Sequence, residues 1–290
     1  MTALALCRFV HFMAAMLTFG ASVYLWLLAP EPLRRALSPP VRRLALAASA
    51  VAFVTAVLWL SLESASMAED WSAAYDPAAI GAVLTDTAFG SAWAAHLVLA
   101  AALVFVVAFG PRSRWGPTAA ASAAMLASLG LVGHASMQTG AEGVIHRANH
   151  AAHLLAAGAW IGGLFPFVLS LRAYEDAALR APALEAMINF SFWGQFVVAA
   201  IVITGSINIA LTSGRPPVPP TSPYRALLDA KLAIVAIMIA LALINRYVLA
   251  PRLKPGAAAL ATLRLTSMSE VALGTLVVAL VSAFALLDPA

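Results

Sequence analysis

The feature that most constrains this chain is a series of long apolar segments separated by short loops containing proline and arginine. About 20 consecutive apolar residues cross the hydrocarbon core of a bilayer as an α-helix, which satisfies its own backbone hydrogen bonds. Eight segments have this length: roughly 4–28, 44–66, 91–110, 118–137, 148–171, 187–211, 227–249 and 268–287. The sequence therefore predicts an all-α polytopic membrane protein, a bundle of eight transmembrane helices.

Composition supports one membrane domain over residues 1–290. Only 10% of the residues are charged and 62% are hydrophobic, whereas an ordinary soluble domain is about 25% charged. The first apolar segment is longer than the core of a signal peptide, and no basic stretch precedes it, so we expect an uncleaved first span. Because Cys7 is the only cysteine, an internal disulfide is excluded.

The distribution of lysine and arginine predicts the orientation. Twelve of these residues fall in or beside the odd-numbered loops and three in the even-numbered loops. Since positive charge is enriched in short cytoplasmic loops, we expect the odd loops to face the cytoplasm and both termini to face the periplasm. The net charge of +4 comes from these short loops, so it does not indicate a nucleic-acid partner. The lipid bilayer is the partner that the composition implies.

Histidines cluster where the fifth span begins. His146, His150 and His153 are spaced i, i+4 and i+7, which places them on one face of a helix. An imidazole at membrane depth needs a partner, and such residues are functional candidates. Under the predicted topology all six histidines lie in the outer half of the protein. Further along the same span, Gly158 and Gly162 form a small-residue face that allows a neighbouring helix to approach.

These residues suggest a metal site. The connection between the fourth and fifth spans is short, so the two helices should be antiparallel neighbours. Imidazole binds copper, zinc, nickel and iron, and an added thioether or thiolate favours copper(I). We expect His134, His150 and His153 to be the core ligands. An exposed His146 would first receive the ion from the outer side. His11 and Met137 are possible further ligands.

Two alternatives use the same histidines. Each imidazole could simply hydrogen-bond a neighbouring helix. Histidines on facing helices could instead ligate a b-type haem from both sides and carry electrons; the residues available for such a pair are His11, His96, His134 and His153. His96 follows Trp93, which fits an interfacial anchor as well as a ligand.

Other ionisable residues within the spans also need partners. Lys231 could pair with Asp229 or Glu63, and Arg8 is expected to extend to the outer interface. Glu270 is expected at the cytoplasmic start of the eighth span, where a carboxylate favours a helix N-terminus.

The inner half of the bundle shows no chain of His, Met or Cys. Asn208, Asn245 and Met238 are the only weak candidates for a path there. The chain contains no glycine-rich phosphate loop, GxSxG or HExxH motif, so we expect no enzymatic activity.

Several motifs together resemble the CopD family of bacterial inner-membrane copper proteins, over essentially the whole chain. The motifs are Arg8-Phe9-Val10-His11-Phe12, Phe89-Gly90 with Trp93, Gly133-His134-Ala135, His146-x-x-Asn149-His150-x-x-His153, Ala159-Trp160-Ile161-Gly162-Gly163-Leu164-x-Pro166, Lys231 and Asn245-Arg246-Tyr247-Val248-Leu249-x-Pro251-Arg252. His96 is not part of that pattern.

The resemblance implies a copper protein of the inner membrane. It also implies a separate periplasmic carrier of the CopC kind and copper movement towards the cytoplasm. A copper-delivery scaffold for assembling a cuproenzyme is an alternative role. All-imidazole ligation would admit copper(II), while Met or Cys ligation would favour copper(I).

Overall fold

The computed structural model describes residues 2–111, 114–133, 138–212, 222–254, 256–284 and 287. Within these ranges the chain forms nine α-helices and no β-strand, which confirms the all-α class. The helices are α1 (Thr2–Val23), α2 (Glu31–Ala68), α3 (Pro77–Asp86), α4 (Ala88–Phe109), α5 (Gly116–Ser128), α6 (Gly140–Ala173), α7 (Arg180–Thr212), α8 (Pro223–Ile244) and α9 (Ala258–Phe284).

Among the residues that the structure describes, seven helical segments are long and apolar enough to cross a membrane. They are α1 with its continuation to Leu28, α2, α4, α6, α7, α8 with its continuation to Arg252, and α9. The predicted fourth span corresponds to a shorter apolar helix, Gly116–Leu131. A polytopic membrane protein is therefore confirmed. The count of eight crossings and the periplasmic termini stay predictions.

Several helices begin earlier than their apolar runs, and the difference is largest for α2 and α9. α2 begins at Glu31, so Pro39 and Pro40 lie inside a helix rather than in the expected loop. Its first turn is stabilised by a proline at its start and by ion pairs of Glu31 with Arg34 and Arg35. α9 likewise begins at Ala258, ten residues before the predicted boundary. Hydropathy marks the part of a helix that lies in lipid, and polar residues can extend the helix beyond it.

Glycines bring α1 and α6 into close contact. A Cβ atom added at Gly162 of α6 would lie 1.9 Å from the carbonyl oxygen of Met16, and one added at Gly20 would lie 2.3 Å from that of Gly158. The expectation that small residues admit a neighbour to the histidine helix is confirmed, and that neighbour is α1. This contact sets the position of α6 in the bundle.

We expect the substitution Gly162→Ala to lower the stability of the protein by about 1–3 kcal/mol, because the new methyl group would force two helix backbones apart. Thermal unfolding of the purified protein in detergent measures this change. The matched control is Gly194→Ala on α7, where an added Cβ meets no atom within 4 Å. Equal unfolding midpoints for the two variants would contradict the role assigned to the contact.

The predicted orientation is open to a direct test. A phosphatase that is active only in the periplasm should be active when fused after Ala290, because positive charge should retain the odd loops inside. The same enzyme inserted at Asp176, between α6 and α7, should be inactive. The reverse result would show that the orientation is inverted.

Candidate metal centre

A cavity of about 220 Å³ lies among α1, α2, α6, α7, α8 and α9. We call it the histidine cavity. It is lined mainly by apolar residues, and its wall includes seven titratable side chains: Arg8, Glu63, His146, His150, His153, Tyr224 and Lys231. The prediction that the three histidines of the fifth span share one face is confirmed, since all three line this cavity.

His146 differs from its predicted setting. It is only 2% exposed and lies in the second turn of α6, so the expectation of an exposed histidine is wrong. Its Nδ1 lies 2.6 Å from Oε1 of Gln138, whose own amide nitrogen donates to the carbonyl oxygen of Leu211. Because the amide oxygen can only accept, Nδ1 carries the hydrogen. The Nε2 atom of His146 is then the nitrogen with a free electron pair.

His153 is held in a similar way. Its Nδ1 lies 2.9 Å from Oγ1 of Thr204, and that hydroxyl donates its single hydrogen to the carbonyl oxygen of Ala200. Thr204 therefore accepts from Nδ1, and Nε2 again keeps the electron pair. A metal-binding imidazole is commonly oriented through its other nitrogen in this manner.

His150 is held differently. Asn149 donates to the carbonyl oxygen of Thr204 and to Oδ1 of Asn208, which fixes the orientation of both amides. The amide nitrogen of Asn208 then faces Nδ1 of His150 at 3.3 Å. Nδ1 is thus the acceptor and Nε2 carries the hydrogen. Before Nε2 of His150 could bind a metal, its hydrogen-bond arrangement would have to change. Asn208 therefore lies with the histidines and not on a path through the inner half.

Charged groups around the histidines do not form the expected pairs. Asp229 bonds Arg225, and no ion pair of Lys231 occurs among the residues that the structure describes. Arg8 packs over the ring of Trp59, with its guanidinium carbon 4.8 Å from the ring centroid. Trp59 also donates to Glu63. The cavity wall carries two cationic side chains and one carboxylate.

His11 lies apart from this cavity. Its ring contacts α2 and α4, and its Nε2 is 3.1 Å from Nε2 of His96. The structure thus pairs His11 with His96, which the sequence analysis left out of the copper ligands but kept among the candidates for a haem pair. His134 and Met137 lie outside the described residues, so their predicted places in the site remain predictions.

The described histidines have suitable donors but do not form a complete coordination shell. Over the ranges that the structure describes, no three or more His, Cys, Asp or Glu side chains are close enough to hold an ion together. His146 and His153 nevertheless each present a nitrogen electron pair, which is the donor that copper and zinc accept. The cavity therefore offers donor atoms of the type that copper binds, but they belong to side chains that are not close enough together to hold one ion.

Haem fits the described geometry poorly. Two axial imidazole nitrogens are about 4 Å apart when each bond to the metal is about 2 Å, whereas those of His11 and His96 are 3.1 Å apart. The histidine cavity, at about 220 Å³, is also below the range of about 300–1,000 Å³ typical of small-molecule sites.

A buried polar group in the centre of α9 was missed by the sequence reasoning. Glu270 lies in the middle of α9, is 3% exposed, and accepts a hydrogen bond of 3.0 Å from Asn245. Thr266 donates to the same asparagine. The expectation that Glu270 begins a helix is wrong, because residues from Ala258 onwards are already helical. Thr266, Ser267 and Ser269, which stand just before Glu270, are residue types that often begin a helix, so the local sequence did not signal its position inside α9.

Comparisons with known proteins agree with this architecture. The profile described as "Copper resistance protein D-like, N-terminal domain" matches residues 1–144, and that described as "Copper resistance protein D" matches residues 184–284. No solved structure matches the chain significantly.

Two relatives match most of the chain. Inner membrane protein YebZ of Escherichia coli K12 is 34% identical over 97% of this chain and 97% of its own length. Copper resistance protein D of Pseudomonas syringae pv. tomato is 29% identical over 84% of this chain and 81% of its own. Because these matches cover most of the chain, and the chain forms a helical membrane bundle, it belongs to the copper resistance protein D family.

Proposed function

We propose that this protein resides in the bacterial inner membrane, accepts copper from a periplasmic carrier of the CopC kind, and moves it towards the cytoplasm. The histidine cavity is the acceptor site. The observation that carries the proposal is that His146 and His153 line one cavity with their Nδ1 atoms engaged by acceptors. The relatives' names, one an inner membrane protein and one a copper resistance protein, support the location and the metal.

The charges around the cavity favour copper(I) over copper(II). Arg8 and Lys231 repel an incoming cation, while Glu63 is the one carboxylate on the wall. The repulsion from fixed charges is twice as large for a divalent ion as for a monovalent ion at the same distance. Neutral imidazole ligands add no charge of their own, so the ion with the smaller charge is held at lower cost.

The order of ligands follows from their positions on α6. His146 is only 2% exposed but lines the histidine cavity nearest to the start of the helix, on the predicted periplasmic side, so an ion that enters the cavity from that side meets it first. His153 lies two turns deeper and has its Nε2 ready. His150 joins after its hydrogen bond with Asn208 has rearranged. The ion thus exchanges water for imidazole as it moves inwards.

Buried groups between the cavity and the inner half provide a continuation. Val277 of α9 lines the histidine cavity and packs in the same cluster as Met238. The methyl carbon of Met238 would be 3.4 Å from a Cβ at Gly274, which is one helical turn from Glu270. The thioether of Met238, the carboxylate of Glu270 and the amide of Asn245 could each contact the ion in turn. They supply ligands in a region where hydropathy alone shows only apolar residues.

Removing the deeper histidines tests the acceptor site. The double substitution His150→Ala and His153→Ala should lower copper bound to the purified protein by one equivalent. Of the single variants, His153→Ala should weaken binding more than His150→Ala, because only His153 has Nε2 ready to bind. Metal analysis and competition with a chromophoric copper(I) chelator measure both effects.

Two results would refute this assignment. Unchanged copper content in a folded double variant would remove these histidines from the site. A Soret absorption band with bound iron in the wild-type protein would assign them to haem and to electron transfer instead.

A substitution beside His153 tests the orientation of its ring. A Cβ atom added at Gly205 would lie 3.2 Å from Cε1 of His153, so Gly205→Ala should displace the imidazole and weaken copper binding about 10-fold, as loss of a supporting contact does. The control is Gly194→Ala on the same helix, where the added methyl group meets nothing within 4 Å. Equal affinities in the two variants would show that the ring position does not govern binding.

A further inference from the structure

The wall of the histidine cavity carries more positive than negative charge. Arg8 and Lys231 line it together with one carboxylate, that of Glu63. All three side chains are half-buried, and the ion pairs found among the described residues include neither of the two cations. Neutral imidazoles add no charge, so two cations and one carboxylate leave one positive charge in excess.

Lys231 has apolar surroundings on α8. Its Nζ lies 5.9 Å from the ring centroid of Phe284, and Val277 and Val281 line the same cavity. Within the described ranges, no hydrogen bond or ion pair stabilises its ammonium charge. A cation over an aromatic face gains some attraction, but the ring does not neutralise it. The ammonium group therefore has donors and a charge that the described protein leaves without a counterpart.

Arg8 contributes a second unpaired donor. Its guanidinium carbon lies 4.8 Å from the ring centroid of Trp59, and its Nε is buried without a hydrogen-bond partner among the described residues. Glu63 accepts from Trp59 instead. A guanidinium stays charged in proteins, and a buried donor on a charged group is costly to leave unpaired.

Water alone does not remove this cost. Water molecules could accept hydrogen bonds from both cations, but they would leave the excess charge in place. A charge in a partly buried site is stabilised most by an opposite charge nearby. The cavity of about 220 Å³ has room for such an ion, because one water molecule needs only about 10–15 Å³ of comparable volume.

We propose that Arg8 and Lys231 bind one small monovalent anion, such as chloride, in the histidine cavity. One negative charge cancels the excess on the wall, whereas a divalent anion would reverse its sign. The ammonium and guanidinium groups would each donate a charge-assisted hydrogen bond to the ion. The volume of the cavity favours a small anion over a bulky one.

The anion would also serve as a counter-ion for copper, and this part of the inference rests on the proposed function. Without the anion, Arg8 and Lys231 repel an incoming cation. With the anion bound, the wall is neutral and copper(I) approaches His146 and His153 without net repulsion. Copper and the anion should therefore bind cooperatively, whereas the anion site itself needs no copper.

The first experiment measures chloride binding to the metal-free, full-length protein in an uncharged detergent. Methanesulfonate replaces chloride at constant ionic strength, and the line width of the ³⁵Cl resonance is followed. We expect the wild-type protein to add a saturable broadening that bromide displaces. Lys231→Met should weaken chloride binding at least 10-fold, because it removes a charge and its donors. Lys231→Arg, which keeps the charge, should retain the broadening.

The matched control is Lys254→Met, which removes an exposed lysine away from the cavity and should bind chloride as the wild-type protein does. Absence of saturable broadening in the wild-type protein would overturn the anion site. Equal broadening in Lys231→Met would do so as well. Asp288 is the one acidic side chain outside the described ranges. If Asp288→Asn binds chloride and the wild-type protein does not, a carboxylate of the chain fills the place assigned to the anion.

A second experiment separates this inference from the proposed function. Copper(I) affinity is measured by chelator competition in chloride and in methanesulfonate, with free copper corrected for its chloride complexes. We expect chloride to raise the affinity of the wild-type protein at least 5-fold, within the usual range of coupling between sites, and to leave that of Lys231→Met unchanged. Chloride binding without any effect on copper affinity would overturn the counter-ion role alone. Chloride binding without any copper binding would overturn the proposed function and leave the anion site intact.

Discussion

The close contact of α1 with α6 is the interaction on which the other features depend. Gly20, Gly158 and Gly162 let two backbones approach to a distance that any side chain would prevent. α1 consequently occupies the middle of the bundle and separates two groups of histidines. Arg8 and Phe12 on one side of α1 line the histidine cavity, while His11 on another side turns towards α2 and α4.

The partners of the Nδ1 atoms give each histidine its chemical character. Thr204 and Gln138 accept from His153 and His146, and Asn208 donates to His150. Residue type alone would treat the three imidazoles as equivalent ligands. The hydrogen bonds distinguish them, because a nitrogen with its electron pair free binds a metal and one carrying hydrogen does not. Thr204 and Asn208 on α7, together with Gln138 just before α6, therefore determine which imidazole nitrogens on α6 carry a free electron pair.

Hydropathy and helical spacing predicted the architecture and the shared wall of His146, His150 and His153, because both depend on local periodicity. The pairing of His11 with His96 depends on how α1, α2 and α4 are rotated against one another, and no local pattern contains that information. Glu270 was misplaced because a helix can begin before its apolar run. The burial of His146 depends on Gln138, which folds back over the start of α6.

The length of α2 has a mechanical consequence. Its 38 residues extend about 57 Å at 1.5 Å per residue, well beyond a hydrocarbon core of about 30 Å. The overhanging part carries Arg42, which donates to the carbonyl oxygen of Ala108 at the end of α4. α2 also supplies Thr55 to His11, and α4 carries His96. Arg42 thus links α2 to α4 at one end and limits how far the two helices can slide along each other. Because α2 also contacts His11, this limit keeps Nε2 of His96 opposite Nε2 of His11.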